Sequence, residues 1–173
     1  NLRRRHLAKG GRGDTDRATT DGVDGAVEAG TGGGGTVADS NIYADNGVYT
    51  VTITVTGGHT GATADTQPVT VNNVAPTVVA GADQIVNEGD TVNLDPSTFA
   101  DVGSGDTHTA TIDWGDGTVE PGTVGGGTVA GSHIYADNGV YTVTITVTDD
   151  DTAATADTLQ VTVNNYAPTV VAG

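Results

Sequence analysis

Fifteen consecutive residues occur twice in this chain, and that duplication limits what it can fold into more than any other feature. IYADNGVYTVTITVT stands at Ile42 to Thr56 and again at Ile134 to Thr148, an offset of 92 residues. Within the second copy Tyr141, Val143, Ile145 and Val147 alternate with Thr142, Thr144, Thr146 and Thr148. A strict period of two with β-branched residues predicts a half-buried strand, apolar side inward and threonine side outward. Asp137-Asn138-Gly139 precedes it with residues that tolerate left-handed backbone, so a sharp turn leads into the strand.

The offset holds along the whole overlap. NNVAPTVVAG at 72–81 returns as NNYAPTVVAG at 164–173, and GTVADSNIY at 35–43 returns as GTVAGSHIY at 127–135. The chain therefore reads as a little under two copies of one unit. Residues 1–73 form a truncated, degenerate copy, 75–165 a complete one, and 166–173 the start of a third. Beginning at Asn1 without a signal-like segment, the chain reads as a piece of something longer.

Charge narrows the partners. Twenty-two acidic residues face six basic ones, a net charge of −16, and all six basic residues lie between Arg3 and Arg17. Such a surface disfavours nucleic acid and anionic lipid. No run of eighteen apolar residues offers a membrane span, so no membrane insertion is expected in this segment. With no cysteine there are no disulfides and no thiolate metal sites. Threonine, valine and glycine abound while helix formers are scarce, which favours an all-β chain.

Inside the complete unit, turn signals recur every eight to twelve residues, as in a β-sandwich. Short strands are expected at 77–80, 84–86 and 91–94, the last with Val92 and Leu94 inward. A loop rich in Asp, Gly and Ser follows at 95–106, anchored by Phe99. Thr107 to Trp114 is expected as a strand with Ile112 and Trp114 on one face. Gly115-Asp116-Gly117 reverses the chain into 118–120, and Pro121 is expected to end that strand because it cannot donate a ladder hydrogen bond. A Gly-rich loop leads to 132–135, then the duplicated strand, then 157–163 with Leu159, Val161 and Val163 inward. That makes seven or eight strands.

DWGDGT at 113–118, SHIYADNGVYTVTITVTDDD at 132–151 and APTVVAGADQIVNEGDTVNL at 75–94 resemble the signature of the PKD (polycystic kidney disease) domain. The resemblance covers the whole complete unit. It implies tandem immunoglobulin-like β-sandwiches, the first incomplete, and an extracellular, non-enzymatic module of a secreted or cell-surface protein. Neighbouring repeats of the same kind are the implied partners, and no particular ligand is implied. Trp114 and Ile112 are expected in the core between the sheets, with Tyr135 as the tyrosine of the His-x-Tyr element. Tyr141 falls at a tyrosine corner, its hydroxyl returned to upstream backbone. Asp116 reads as turn chemistry and His133 as a local hydrogen-bonding group. The first copy departs from the pattern. Gly22 stands at the Trp114 position, Thr20 at Ile112, Asn41 at His133, and Gly57-Gly58-His59 at Asp149 to Asp151. Loose packing or partial disorder is expected there.

Few residues suggest chemistry. Asp149, Asp150 and Asp151 at a strand end could converge with loop carbonyls on Ca2+, and they read equally as an exposed acidic turn. The 95–106 loop is a second place for the ion. Asp113 and Asp116 flank a hairpin turn rather than a cleft, so no catalytic pair is expected. His6, His59, His108 and His133 lack metal-ligand spacing. Arg12-Gly13-Asp14 spells an integrin-binding tripeptide but becomes Ser104-Gly105-Asp106 in the second copy, and chance accounts for it.

Two functions compete. One is a spacer, presentation or adhesion unit, favoured by the short proline-containing joints at 72–76 and 164–168. The other is an accessory module that holds protein or polysaccharide for a secreted hydrolase. Glycan stacking needs exposed aromatics, and four of the five tyrosines are expected in core or corner positions. An enzyme lacks a constellation.

Overall fold

A computed structural model describes residues 5–6, 17–21, 27–33, 36–57, 61–94 and 97–171. The chain divides into two compact units, residues 1–72 and 73–173. Among the described residues there is no helix.

The first unit carries β1 (Arg5–His6), β2 (Arg17–Asp21), β3 (Val27–Gly33), β4 (Thr36–Ala38), β5 (Gly47–Thr56) and β6 (Ala62–Val71). They form one sheet in the order β1-β4-β3-β2-β5-β6.

The second unit carries β7 (Thr77–Val79), β8 (Gln84–Asn87), β9 (Thr91–Asn93), β10 (Ser97–Ala100) and β11 (His108–Asp113). It continues with β12 (Val119–Gly125), β13 (Thr128–Ala130), β14 (Ser132–Ile134), β15 (Gly139–Asp149) and β16 (Ala154–Asn164). Eight strands run in the order β7-β10-β13-β12-β11-β15-β16-β8, and β14 pairs with β9 separately. All pairs are antiparallel except β8, which lies parallel to β16 along its last residues. The fold is an immunoglobulin-like sandwich.

Alternation decides which side is core. Val143, Ile145 and Val147 of β15, Leu159, Val161 and Val163 of β16, and Ala110 and Ile112 of β11 are buried with Trp114. Val92, Leu94, Val129 and Tyr135 complete the core. Removing so much apolar surface from water is the main force holding the unit together.

Three local expectations are corrected. The 95–106 loop contains β10, whose Ser97 hydroxyl is buried and donates to the Ala80 carbonyl at 2.8 Å, with Phe99 against the core. The Gly-rich stretch is a hairpin rather than a loop: Gly126 and Gly127 have φ of 58° and 77°, joining β12 to β13. Pro121 does not end its strand. It pairs with Thr111 inside β12, and β13 begins only opposite Thr123, so beside Pro121 the second side of β12 has no ladder to interrupt. These additions bring the second unit to ten strands, β7 to β16.

The duplicated strand offers an internal control. Val51 is 2% exposed, like Val143, but Ile53 and Val55 are half-exposed where Ile145 and Val147 are at 0%. Identical letters bury differently because, among the described residues, no strand pair lies across the first sheet as β9 and β14 do in the second unit. The first unit also has a polar solution of its own. In the second unit a Cβ on Gly131 would come 2.4 Å from Ile112 Cδ1, so isoleucine requires glycine opposite it. In the first unit the same two positions hold Thr20 and Asp39, and the buried Thr20 hydroxyl donates to the Asp39 carboxylate. The exchange is a matched pair rather than two separate losses. The Gly22 and His59 positions, like Arg12-Gly13-Asp14, lie outside the described residues.

Candidate functional site

Two constellations form at opposite ends of the β11–β15 pair, whose register runs from His108↔Asp149 to Asp113↔Thr144.

At the second end the chain leaves β11, passes Trp114 and turns through Gly115-Asp116-Gly117. Gly115 has φ 79°, and a Cβ there would sit 2.5 Å from the Thr142 carbonyl oxygen, so only glycine lets this turn lie against β15. Asp113 Oδ1 accepts from the Gly115 N–H at 2.9 Å, and Asp116 Oδ1 accepts from the Thr118 N–H at 2.9 Å. The other oxygen, Asp116 Oδ2, lies 2.7 Å from His133 Nε2. His133 stacks on Trp114 with ring centroids 5.0 Å apart and meets Tyr135 edge-on at 4.7 Å. Tyr135 stacks on Tyr141 at 4.2 Å.

The hydroxyls close the arrangement. Tyr135 donates to the Trp114 carbonyl at 2.8 Å, and Tyr141 donates to the Asp137 carbonyl at 3.0 Å. The Trp114 indole N–H donates to Glu120 at 3.2 Å. Burial, then the charge of Asp116, pushes the Tyr135 hydroxyl up to about 12. Burial also pushes the Asp116 carboxyl up. Hydrogen bonds from His133 and from the Thr118 N–H and hydroxyl outweigh it, leaving the group below the usual aspartate range. Asp116 thus does more than shape the turn: it ties the turn to β14 through His133, a link 17 residues long. Its partner was legible only in the pairing of Gly-Asp-Gly with His-x-Tyr.

At the first end the acidic residues regroup. Asp149 is buried and holds two donors, the Asn73 side-chain amide at 2.8 Å and the Ala153 N–H at 2.8 Å. Asp150 accepts from the Thr107 N–H at 3.1 Å and, like Asp151, is exposed. The three consecutive aspartates do not converge. Instead Asp149 meets Asp101 and Asp106, with one carboxylate oxygen from each inside a 4.8 Å span. Hence one residue of the first candidate calcium site joins two from the second. Asp101 also bonds His108 Nε2 at 3.0 Å and the Gly103 N–H at 3.0 Å. Burial pushes its carboxyl up, and the His108 and Gly103 bonds outweigh that and hold it low. Oxygen ligands alone, at this spacing, match what a hard divalent cation takes. No Lys or Arg occurs after Arg17 to neutralise the trio instead.

A third aspartate was not legible as functional or structural. Asp157 accepts from the Ala80 N–H at 2.9 Å, and that bond lowers its pKa. It fastens the end of β7 to β16.

A PKD domain family model matches residues 73–163. No curated protein sequence matches the chain. Among solved structures, the Clostridium thermocellum CbhA fibronectin(III)-like modules align at 17% identity and TM-score 0.42, covering 88% of this chain and 86% of that one. Drosophila N-cadherin EC1-4 aligns at 12% identity and TM-score 0.41, covering 75% of this chain and 36% of that one. A protein of the Bacteroides ovatus mixed-linkage glucan utilization locus, in complex with a mixed-linkage heptasaccharide, aligns at 18% identity and TM-score 0.25, covering 86% and 37%.

Proposed function

Because the chain belongs to the PKD domain family, we propose that it serves as a non-catalytic extracellular module, spacing, presenting or adhering within a larger multi-repeat surface or secreted protein. One observation carries this reading. The polar groups of the signature bond within the module: Asp113 and Asp116 hold the turn, Asp116 holds His133, and the Tyr135 and Tyr141 hydroxyls hold backbone carbonyls. Groups committed to fixing a turn, a strand and a corner are unsuited to proton transfer or nucleophilic attack. Neighbouring repeats of the same kind are its first partners. Among the described residues no helix is long and apolar enough to cross a membrane.

The alternative is an accessory module that holds polysaccharide or protein for an attached hydrolase. Tyr166 is the exposed aromatic of the described residues, while Tyr135 and Tyr141 stack on each other, which leaves little platform for a sugar ring. Two measurements separate these functions. Solution scattering of a longer chain carrying several repeats should give an extended particle, and insoluble polysaccharides should leave the protein in the supernatant. Retention on polysaccharide would favour the accessory function. The Ca2+ reading now belongs to Asp149 with Asp101 and Asp106. It is tested by melting with and without calcium; an unchanged transition at about millimolar calcium removes it.

A further inference from the structure

The outward face of β11, β15 and β16 is almost free of charge in a chain of net charge −16. Its rows follow from register: Asp113–Thr144–Thr158, Thr111–Thr146–Ala156 and Thr109–Thr148–Ala154. Thr142 and Gln160 form another row, and Val140–Thr162–Ile85 closes the face with an apolar edge. Val140 and Ile85 are 64% and 75% exposed. The single acid, Asp113, turns Oδ1 into the hairpin to accept from Gly115. The other aspartates of these strands, Asp149 and Asp157, occupy inward register positions opposite His108 and Ile145.

The first unit repeats this lattice row for row. Asp21–Thr52–Thr66 and Thr19–Thr54–Ala64 match the first two rows, and Val48 with Thr70 repeats the apolar edge. Meanwhile inward positions differ: Ile112 is Thr20 and Leu159 is Gln67. The outer lattice is thus kept where part of the inner packing is not.

We infer that this threonine face is a homotypic contact surface, taking the same face of a second copy of this chain. Charge selects the occupant. Two polyanions approaching by any acidic surface repel, and the neutral face is where that repulsion is least. Opposed rows of methyls and hydroxyls can interdigitate as two sheet faces do. Three strands about 4.8 Å apart and about ten residues long give roughly 500 Å2 per unit. A stable complex buries about 800 Å2 per partner. A single face therefore binds weakly, and tandem repetition multiplies it. The free edge of β6 is a poorer route. In β16 the Gln160 N–H points off the strand edge to Asp83; the same position in β6 is Pro68, which has no N–H to offer.

Sedimentation equilibrium of the full chain tests the inference at low salt and at about 1 M, where the Debye length falls to about 3 Å. The average mass should rise with concentration, and more steeply at high salt, because screening removes the opposing repulsion. Thr54→Asp together with Thr146→Asp should abolish the rise, while Thr98→Asp, on β10 and off this face, should leave it. Melting curves establish that each variant is folded. A chain that stays monomeric at all concentrations and salts overturns the inference. So does association that weakens with salt, which would instead mark pairing of the basic N-terminal residues with acidic surface, whether or not the variants fold.

Discussion

Gly115 and Gly117 flank Asp116 in the same turn, and replacing each by alanine separates two physical costs. Both have positive φ, 79° and 96°. Placing an L side chain in left-handed backbone costs about 1–2 kcal/mol. Around Gly117 a Cβ meets nothing within 4 Å, whereas at Gly115 it would lie 2.5 Å from the Thr142 carbonyl oxygen and 3.1 Å from the Thr142 nitrogen. Those atoms belong to β15, paired on both sides, and cannot move aside as a flexible side chain would. Forcing that contact costs a further ~1–3 kcal/mol, by analogy with overpacked cores. Gly117→Ala should thus lose about 1–2 kcal/mol and Gly115→Ala about 2–5 kcal/mol. For a unit of this size the two should differ in Tm by roughly 5–20 °C. Trp114 is the only tryptophan, so its fluorescence follows the second unit alone. Equal shifts for the two variants would refute the steric reasoning and leave only backbone conformation.

Three further outcomes are expected. Asp101 and Asp116 titrate below their ordinary range when folded, so their contribution is complete above about pH 4 and is lost as pH falls through the folded values. Asp116→Asn should lower stability at neutral pH and flatten the acid side of a stability–pH curve. Tyr135 has the opposite sign: with its hydroxyl raised to about 12, stability should hold below pH 10 and decline as pH rises towards that value, and Tyr135→Phe should remove that decline. Asn73→Ala takes one of two donors from buried Asp149 and should cost about 1–3 kcal/mol in denaturant titrations followed by Trp114. In the first unit, Thr20→Ile or Asp39→Gly alone should destabilise β2, while the double variant recovers stability. The coupling should be about 0.5–3 kcal/mol, read from hydrogen exchange of β2 amides; additive effects would show that the two positions do not act as a pair.

What the sequence made legible was local and periodic. Alternation placed Val143, Ile145 and Val147 inward, the Trp114 neighbourhood marked the core, and spacing placed Tyr141 at its corner, where its hydroxyl does reach the Asp137 carbonyl. The less legible features depend on which strands become neighbours. Asp101 and Asp106 lie more than forty residues before Asp149, and only the His108↔Asp149 register brings them together. Consecutive aspartates in a chain leaving a strand point in different directions, so Asp149 to Asp151 could not converge as their letters suggested. Pro121 misled for a related reason: whether a missing N–H matters depends on whether a partner strand lies on that side. Degeneracy of the first unit was also only partly legible, because Thr20 taken alone looks like a defect and becomes a satisfied group only beside Asp39.

The identity of β5 and β15 has a consequence for how the chain reaches its fold. An unfolded chain holding two copies of the same strand gives each copy two sets of neighbours to choose between, β2 and β6 or β11 and β16. The repeated outer face cannot tell them apart. Discrimination falls to the inward residues that differ, Ile112 against Thr20 and Leu159 against Gln67, and to loop closure, which favours the nearer partner. Folding one unit before the next emerges from synthesis would remove the choice. Refolding from denaturant restores it, so exchanged pairings between units should appear as a slow or aggregating phase that a single isolated second unit lacks.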